Sequence, residues 1–216
     1  MSRAARMFFY PVLFVLMTAS AARAQQGAIL DSGAKEWGVW AGYSFSNPTL
    51  IGTTTNRQYA NAGLRFGYVV ATKGSVAFEY ILDVVPAAIL IQPPGDQFAA
   101  ETGNSSFEGK GRSAVYGFGI LPASFKFNFA RRRVLQPFLA VSTGMVYSMQ
   151  KIPTPITDAT RVNFTFEVGG GIQWMTSSHK ALILGYKFTH ISNAFRTSVN
   201  PGVDANMLYV GLSIFK

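Results

Sequence analysis

The sequence of 216 residues contains no cysteine, only two histidines and only 13% charged residues. The absence of cysteine excludes a disulfide scaffold, and with so few histidines there is no clustered Cys or His set for a metal. So little charge, set against 49% hydrophobic and 14% aromatic residues, excludes a disordered chain, which lacks the apolar surface to offset its ordering entropy. Helical spacing of apolar residues is scarce, and no shift in composition marks a linker. One domain is expected.

The N-terminus differs from the rest. Arg3 and Arg6 precede an apolar run from Met7 to Met17, and the small-residue stretch from Ala19 to Ala24 follows. This is the pattern of a secretory signal peptide, with Ala22 and Ala24 forming the cleavage site. An uncleaved anchor is disfavoured by the shortness of the run and by Pro11 within it. Residues 1–24 are therefore expected to be removed, leaving residues 25–216 as the mature domain, 216 − 24 = 192 residues. Its charge is (19 − 3) − 10 = +6. For an exported basic chain nucleic acid is not an expected partner, whereas anionic headgroups and phosphorylated glycolipids are.

From residue 35 onward the apolar pattern has period two. Trp37, Val39, Ala41, Tyr43 and Phe45 alternate with positions of which four in five, Gly38, Gly42, Ser44 and Ser46, are small; Leu64, Phe66, Tyr68 and Val70 alternate with Asn61, Gly63, Arg65 and Gly67; Phe78, Tyr80, Leu82 and Val84 alternate with Glu79 and Asp83. A fourth run, from about Arg112 to Phe129, changes parity near Pro122, which predicts a β-bulge over 121–123. A fifth spans Pro137 to Tyr147. In the sixth, Phe164, Phe166 and Val168 oppose Asn163, Thr165 and Glu167, and in the seventh Leu182, Leu184, Tyr186 and Phe188 oppose Gly185, Lys187 and Thr189. Met207 to Phe215 is the eighth.

Eight strands with one apolar face fit either a soluble barrel with an apolar lumen or a membrane barrel with an apolar exterior. Arg65, Glu79, Asp83, Glu167 and Lys187 all lie opposite the large aromatics, too little charge for a solvent face but suited to the plug of a narrow lumen. Arg65, Glu79, Glu167 and Lys187 are expected to form one buried polar network. The connections after strands one, three, five and seven are read as ten or more residues long, with Pro86 to Gly111 and Met149 to Arg161 as external loops, and the others as short turns. The fold class is therefore all-β: an eight-stranded antiparallel transmembrane β-barrel of the outer membrane. The C-terminal strand resembles the assembly signal of such proteins, with Lys216 after the aromatic. Gly169 to Gly171 is read as a bend or close backbone approach, and Arg131 to Arg133 as a solvated periplasmic charge run.

His190 and Ser192 stand at the far end of the seventh strand, two residues apart and so on one face. That face carries Leu182, Leu184 and Tyr186, so it looks toward lipid, where a polar group is costly and points to function. Asp204 has the parity of the apolar face of the eighth strand, and the hairpin returns it toward His190. An acid, a base and a nucleophile then converge on the outer wall. The competing reading is an incidental polar pair among headgroups.

His190-Ile191-Ser192-Asn193, Asn200-Pro201-Gly202-Val203-Asp204 and the interval between them resemble the PagL-type lipid A 3-O-deacylases. The resemblance is confined to the last third of the chain, the remainder matching only as a barrel. It implies an outer-membrane carboxylic ester hydrolase that removes the 3-O acyl chain of lipid A, with Ser192 as nucleophile, His190 as general base and Asp204 as orienting acid. It also implies that Asn193 and Asn200 stabilise the oxyanion. The family pattern commonly has Glu at the acid position, and Asp204 is one methylene shorter. No metal or cofactor is implied. Lipopolysaccharide is the expected substrate and outer-membrane lipid the surroundings, with a homodimer left open. The alternative functions are a non-enzymatic barrel serving adhesion or membrane integrity and, less well fitted to a filled lumen, a small pore.

Overall fold

Strands with one apolar face can cross a bilayer only if every backbone N–H and C=O is paired, and closing the sheet leaves no free edge. In the computed structural model, which describes residues 30–153, 159–198 and 200–216, eight antiparallel strands close into a barrel in sequence order. They are β1 (Lys35–Ser46), β2 (Gln58–Lys73), β3 (Val76–Ile91), β4 (Ala114–Asn128), β5 (Leu135–Ile152), β6 (Thr160–Met175), β7 (Lys180–Ser192) and β8 (Val203–Phe215). β1 closes on β8 through pairs such as Val39 with Leu212. The expected signal peptide, residues 1–24, lies outside the described residues.

The alternation decides which side chains meet lipid. Trp37, Val39, Leu64, Tyr116, Leu139, Leu184 and Leu212 are all exposed on the outer wall. Short turns join the strands at one end and longer connections at the other, so by the usual orientation of outer-membrane barrels the long connections face outward.

The inner face is layered. An apolar cluster including Trp40, Leu121, Val146, Ile152, Ile191 and Met207 fills the lumen toward the long-connection end, and Leu30, Val69, Met175 and Phe215 pack at the other. Charged groups are also buried inside, but as three separate sets rather than one network. Lys126 Nζ lies 2.6 Å from Glu36 Oε2 and 2.8 Å from Glu79 Oε2. Arg65 holds Asp83 through two bonds of 2.9 and 2.8 Å. Lys187 bonds both carboxylate oxygens of Glu167 at 3.0 and 2.9 Å and lies 4.0 Å from the centre of the Trp40 ring. Cross-strand register explains the partners, since Glu79 faces Lys126 directly and Arg65 faces Asp83.

Lys126→Leu is therefore expected to destabilise the barrel, because it leaves Glu36 and Glu79 buried without their shared cation. Removing one partner from a buried ionic set costs about 3–5 kcal/mol. The temperature at which the folded form is lost from heat-modifiable gel mobility reads this directly, and an unchanged temperature would contradict the assigned pairing.

Two strand boundaries and one charged residue differ from the sequence pattern. β3 runs past Pro86 to Ile91, with a register shift between Val85 and Ala88 absorbing the proline, as bulges do. β5 extends to Ile152, so the connection to β6 is shorter than expected, residues 153–159. Arg131 is not solvated: its guanidinium is buried and bonds Asp31 Oδ1 at 2.6 Å and the Gly74 carbonyl at 2.9 Å, while Arg132 and Arg133 remain exposed. The bulge at Pro122 is present, as shifts against both β3 and β5.

The β3–β4 connection contains a helix, α1 (Gly95–Thr102), which the period-two pattern gives no sign of. Glu101 near its end pairs with the buried Arg57, whose Nε also reaches Gln92 Oε1 at 3.1 Å. The helix is thereby tied to the β1–β2 connection.

Candidate active site

A hairpin register sets the first contact. β7 and β8 pair so that His190 and Asp204 stand directly opposite each other, and their side chains meet with Nδ1 2.7 Å from Oδ1. An ionised carboxylate can only accept, so the proton of this bond sits on Nδ1, and in the neutral imidazole Nε2 then keeps its lone pair. Ser192 is the last residue of β7, two positions beyond His190 on the same face, a separation of about 6.8 Å along the strand. The shorter Asp reaches its partner because directly opposed residues are already only about 4.5–5.5 Å apart at Cα.

Parity is outward, as the alternation requires, but these groups do not lie bare against lipid. Asp204 is fully buried, the His190 side chain is 12% exposed and Ser192 7%. Much of the cover is the β1–β2 connection, residues 47–57. Leu50 N–H and Ile51 N–H each donate to Asp204 Oδ2 at 2.8 Å. Asn47 Nδ2 donates to the Asp204 carbonyl, and Asn47 Oδ1 accepts from Arg57 N–H at 2.9 Å, closing the base of the loop. The Gly202 carbonyl accepts from Thr53 N–H, Thr54 N–H and Thr54 Oγ1 at 3.1, 3.2 and 2.9 Å. Both Asp204 oxygens are thus occupied, one by the imidazole and one by two main-chain donors. Hydrogen bonds of this charge-assisted kind hold the carboxylate as an anion.

Two glycines make the close approach feasible. A Cβ at Gly202 would lie 2.5 Å from His190 Cε1 and 3.3 Å from Nε2, and one at Gly52 would lie 2.6 Å from the Gly202 carbonyl oxygen. Any side chain at 202 would displace the edge of the ring that carries the free lone pair.

The β7–β8 connection holds the two asparagines. Asn200 Oδ1 accepts from Asn193 N–H at 3.0 Å. Asn193 Oδ1 accepts from Phe195 N–H at 2.9 Å, and its Nδ2 donates to Thr197 Oγ1 at 2.7 Å. Ala194 and Phe195 both take left-handed backbone, φ 53° and 58°. The Asn193 side chain supports this unusual turn directly after Ser192. It braces the loop, and its backbone orients Asn200.

Sequence reasoning missed Asn47, Leu50, Ile51, Gly52 and Thr54, and assigned no role to Gly202. The available signal was weak: an Asn-Pro turn, then the apolar pair Leu50-Ile51 before a glycine in an otherwise polar loop.

Residues 72–213, or 142 of the 216, match the sequence pattern of the PagL family, described as lipid A 3-O-deacylase. No curated protein matches the chain in sequence. Among solved structures, that of the outer membrane enzyme PagL superposes with a TM-score of 0.56 at 13% identity, over 82% of this chain and 97% of that one. Neisserial surface protein A gives 0.49 at 11% identity, over 85% and 97%, and OprG from Pseudomonas aeruginosa gives 0.47 at 9%, over 89% and 98%. At such identities the likeness to PagL speaks for the barrel fold, and the family match over most of the chain speaks for the activity. The chain belongs to the PagL family, outer-membrane lipid A 3-O-deacylases.

Proposed function

We propose that this deacylase works through Ser192 as nucleophile, His190 as general base and Asp204 as the acid that orients the imidazole. The observation that carries the assignment is the Nδ1–Oδ1 bond between His190 and Asp204 on the lipid side of the barrel, with Ser192 two residues along the same face.

His190 Nε2 takes the hydroxyl proton of Ser192 as Oγ attacks the ester carbonyl carbon of the 3-O acyl chain. The tetrahedral intermediate collapses, the sugar 3-hydroxyl leaves with the proton returned by His190, and the acyl group stays on Ser192. Water, deprotonated by His190, then attacks the acyl-enzyme and releases the fatty acid. Asp204 stabilises the imidazolium in both halves. Asn200, held by Asn193 N–H, offers its side-chain amide to the oxyanion, a kind of contact worth about 2.7–4 kcal/mol in a measured protease. The Asn193 contribution is to hold that loop in place. Because lipopolysaccharide occupies the outer leaflet, its ester reaches the barrel wall without entering the lumen.

A p-nitrophenyl phosphonate ester tests the nucleophile directly. Attack by Ser192 Oγ on phosphorus expels p-nitrophenolate, so mass spectrometry of the digested protein should find a single adduct, on Ser192, that His190→Ala prevents. An adduct on another residue, or labelling unchanged by His190→Ala, would overturn the assignment.

A further inference from the structure

We propose that the β1–β2 connection is a lipid-anchored positioning element, in which Leu50 and Ile51 sit among the acyl chains of the outer leaflet and their main-chain N–H groups thereby hold Asp204 against His190. The inference rests on the catalytic assignment above and adds to it what keeps the acid in place.

The two residues face two ways. Their N–H groups point inward onto Asp204 Oδ2, while their side chains are 76% and 58% exposed, among the more exposed large apolar groups of the described residues. Exposed apolar side chains in a loop that faced only water would be unfavourable, whereas contact with acyl chains makes them favourable. The position fits that contact. Tyr43 and Phe45 of β1 and Leu208 of β8, the strands flanking the loop and Asp204, are exposed on the lipid-facing wall, so the tip continues an apolar surface already in the membrane. Eight strands already anchor the protein, so the pair is not needed to hold it in the bilayer.

Displacement of this tip would be felt by the carboxylate because the seat has no slack. A Cβ at Gly52 would stand 2.6 Å from the Gly202 carbonyl oxygen and 2.9 Å from Asp204 Oδ1. Thr53, Thr54 and Asn47 bind the neighbouring Gly202 and Asp204 main chain, so the loop docks on the acid as a unit. Lipid contact that favours the docked loop over a displaced one favours the held carboxylate by the same amount.

Steady-state deacylation should be measured with the full chain in phospholipid vesicles containing lipid A. For Leu50→Ser/Ile51→Ser, kcat should fall about tenfold with KM unchanged, since a misplacement of about 1 Å can cost about 10²-fold and the loop here is loosened rather than removed. Leu50→Met/Ile51→Leu, which keeps the apolar tip, should restore the rate. Gly52→Ala leaves both apolar side chains in place and should lower kcat by about 10²-fold through the seat itself. Heat-modifiable mobility establishes that each barrel is folded, and if the serine variant does not fold, Gly52→Ala decides. Wild-type kinetics in the folded serine variant, a rise in KM alone, or wild-type kinetics in Gly52→Ala would overturn the proposal. Activity surviving in Ser192→Ala would instead remove the catalytic assignment beneath it.

Discussion

Ser192→Ala is expected to abolish fatty-acid release from lipid A while leaving the barrel folded. In the proposed mechanism the hydroxyl is the attacking atom, so its removal eliminates the acyl-enzyme rather than weakening a contact. Ser192 is the last residue of β7 and does not appear in the charged lumen sets or the apolar clusters that stabilise the barrel. Heat-modifiable mobility should therefore match wild type. Fatty acid released from purified lipid A and quantified by gas chromatography measures the effect. Retained release would identify a different nucleophile.

Asp204→Asn should cost nearly as much. The carboxylate uses one oxygen for the His190 Nδ1–H and the other for Leu50 N–H and Ile51 N–H. An amide has only one acceptor oxygen, so either the imidazole or the loop loses its acceptor and meets an NH2 group instead. In the first case the tautomer that leaves Nε2 free is no longer favoured, and in the second the loop is pushed off the site. The corresponding change in a serine protease lowers kcat about 10⁴-fold. Turnover of lipid A in vesicles reads this, and a wild-type rate would show that Asp204 does not orient the base. Because the acid does not attack, residual activity is expected here and not in Ser192→Ala.

Much of the barrel was legible because period-two alternation is enforced by lipid on one side and a narrow lumen on the other. Asp83, Glu79, Glu167 and Lys187 are buried where their parity placed them, and Arg65 is half-buried on the same face, paired with Asp83. Their partners were not legible, since parity fixes a face but cross-strand register fixes a neighbour: register sets Lys126 beside Glu79, and the Lys126–Glu36 contact crosses the lumen to β1. Arg131 departs from a solvated charge run for a similar reason. A run of three arginines carries no mark of which one turns inward to Asp31 and Gly74.

The candidate site divides along the same line. His190, Ser192 and Asp204 lie within one hairpin, so strand parity and a single reversal were enough to bring them to one face. The loop that fixes Asp204 was invisible because its contribution is made by main-chain N–H groups 154 and 153 positions away in sequence. Backbone donors are present at every non-proline residue and leave no side-chain signature. Helix α1 escaped for another reason: eight residues are too short for a 3.6-residue period to stand out inside a long connection.

The central claim is that a serine on the lipid-facing wall of this barrel removes the 3-O acyl chain of lipid A. Mass spectrometry of lipid A from outer membranes of cells expressing the wild-type chain or Ser192→Ala tests it most directly. The account predicts lipid A lacking one ester-linked acyl chain, specifically at the 3-O position, in the first and intact lipid A in the second. Intact lipid A in both, or the same loss in both, would contradict it.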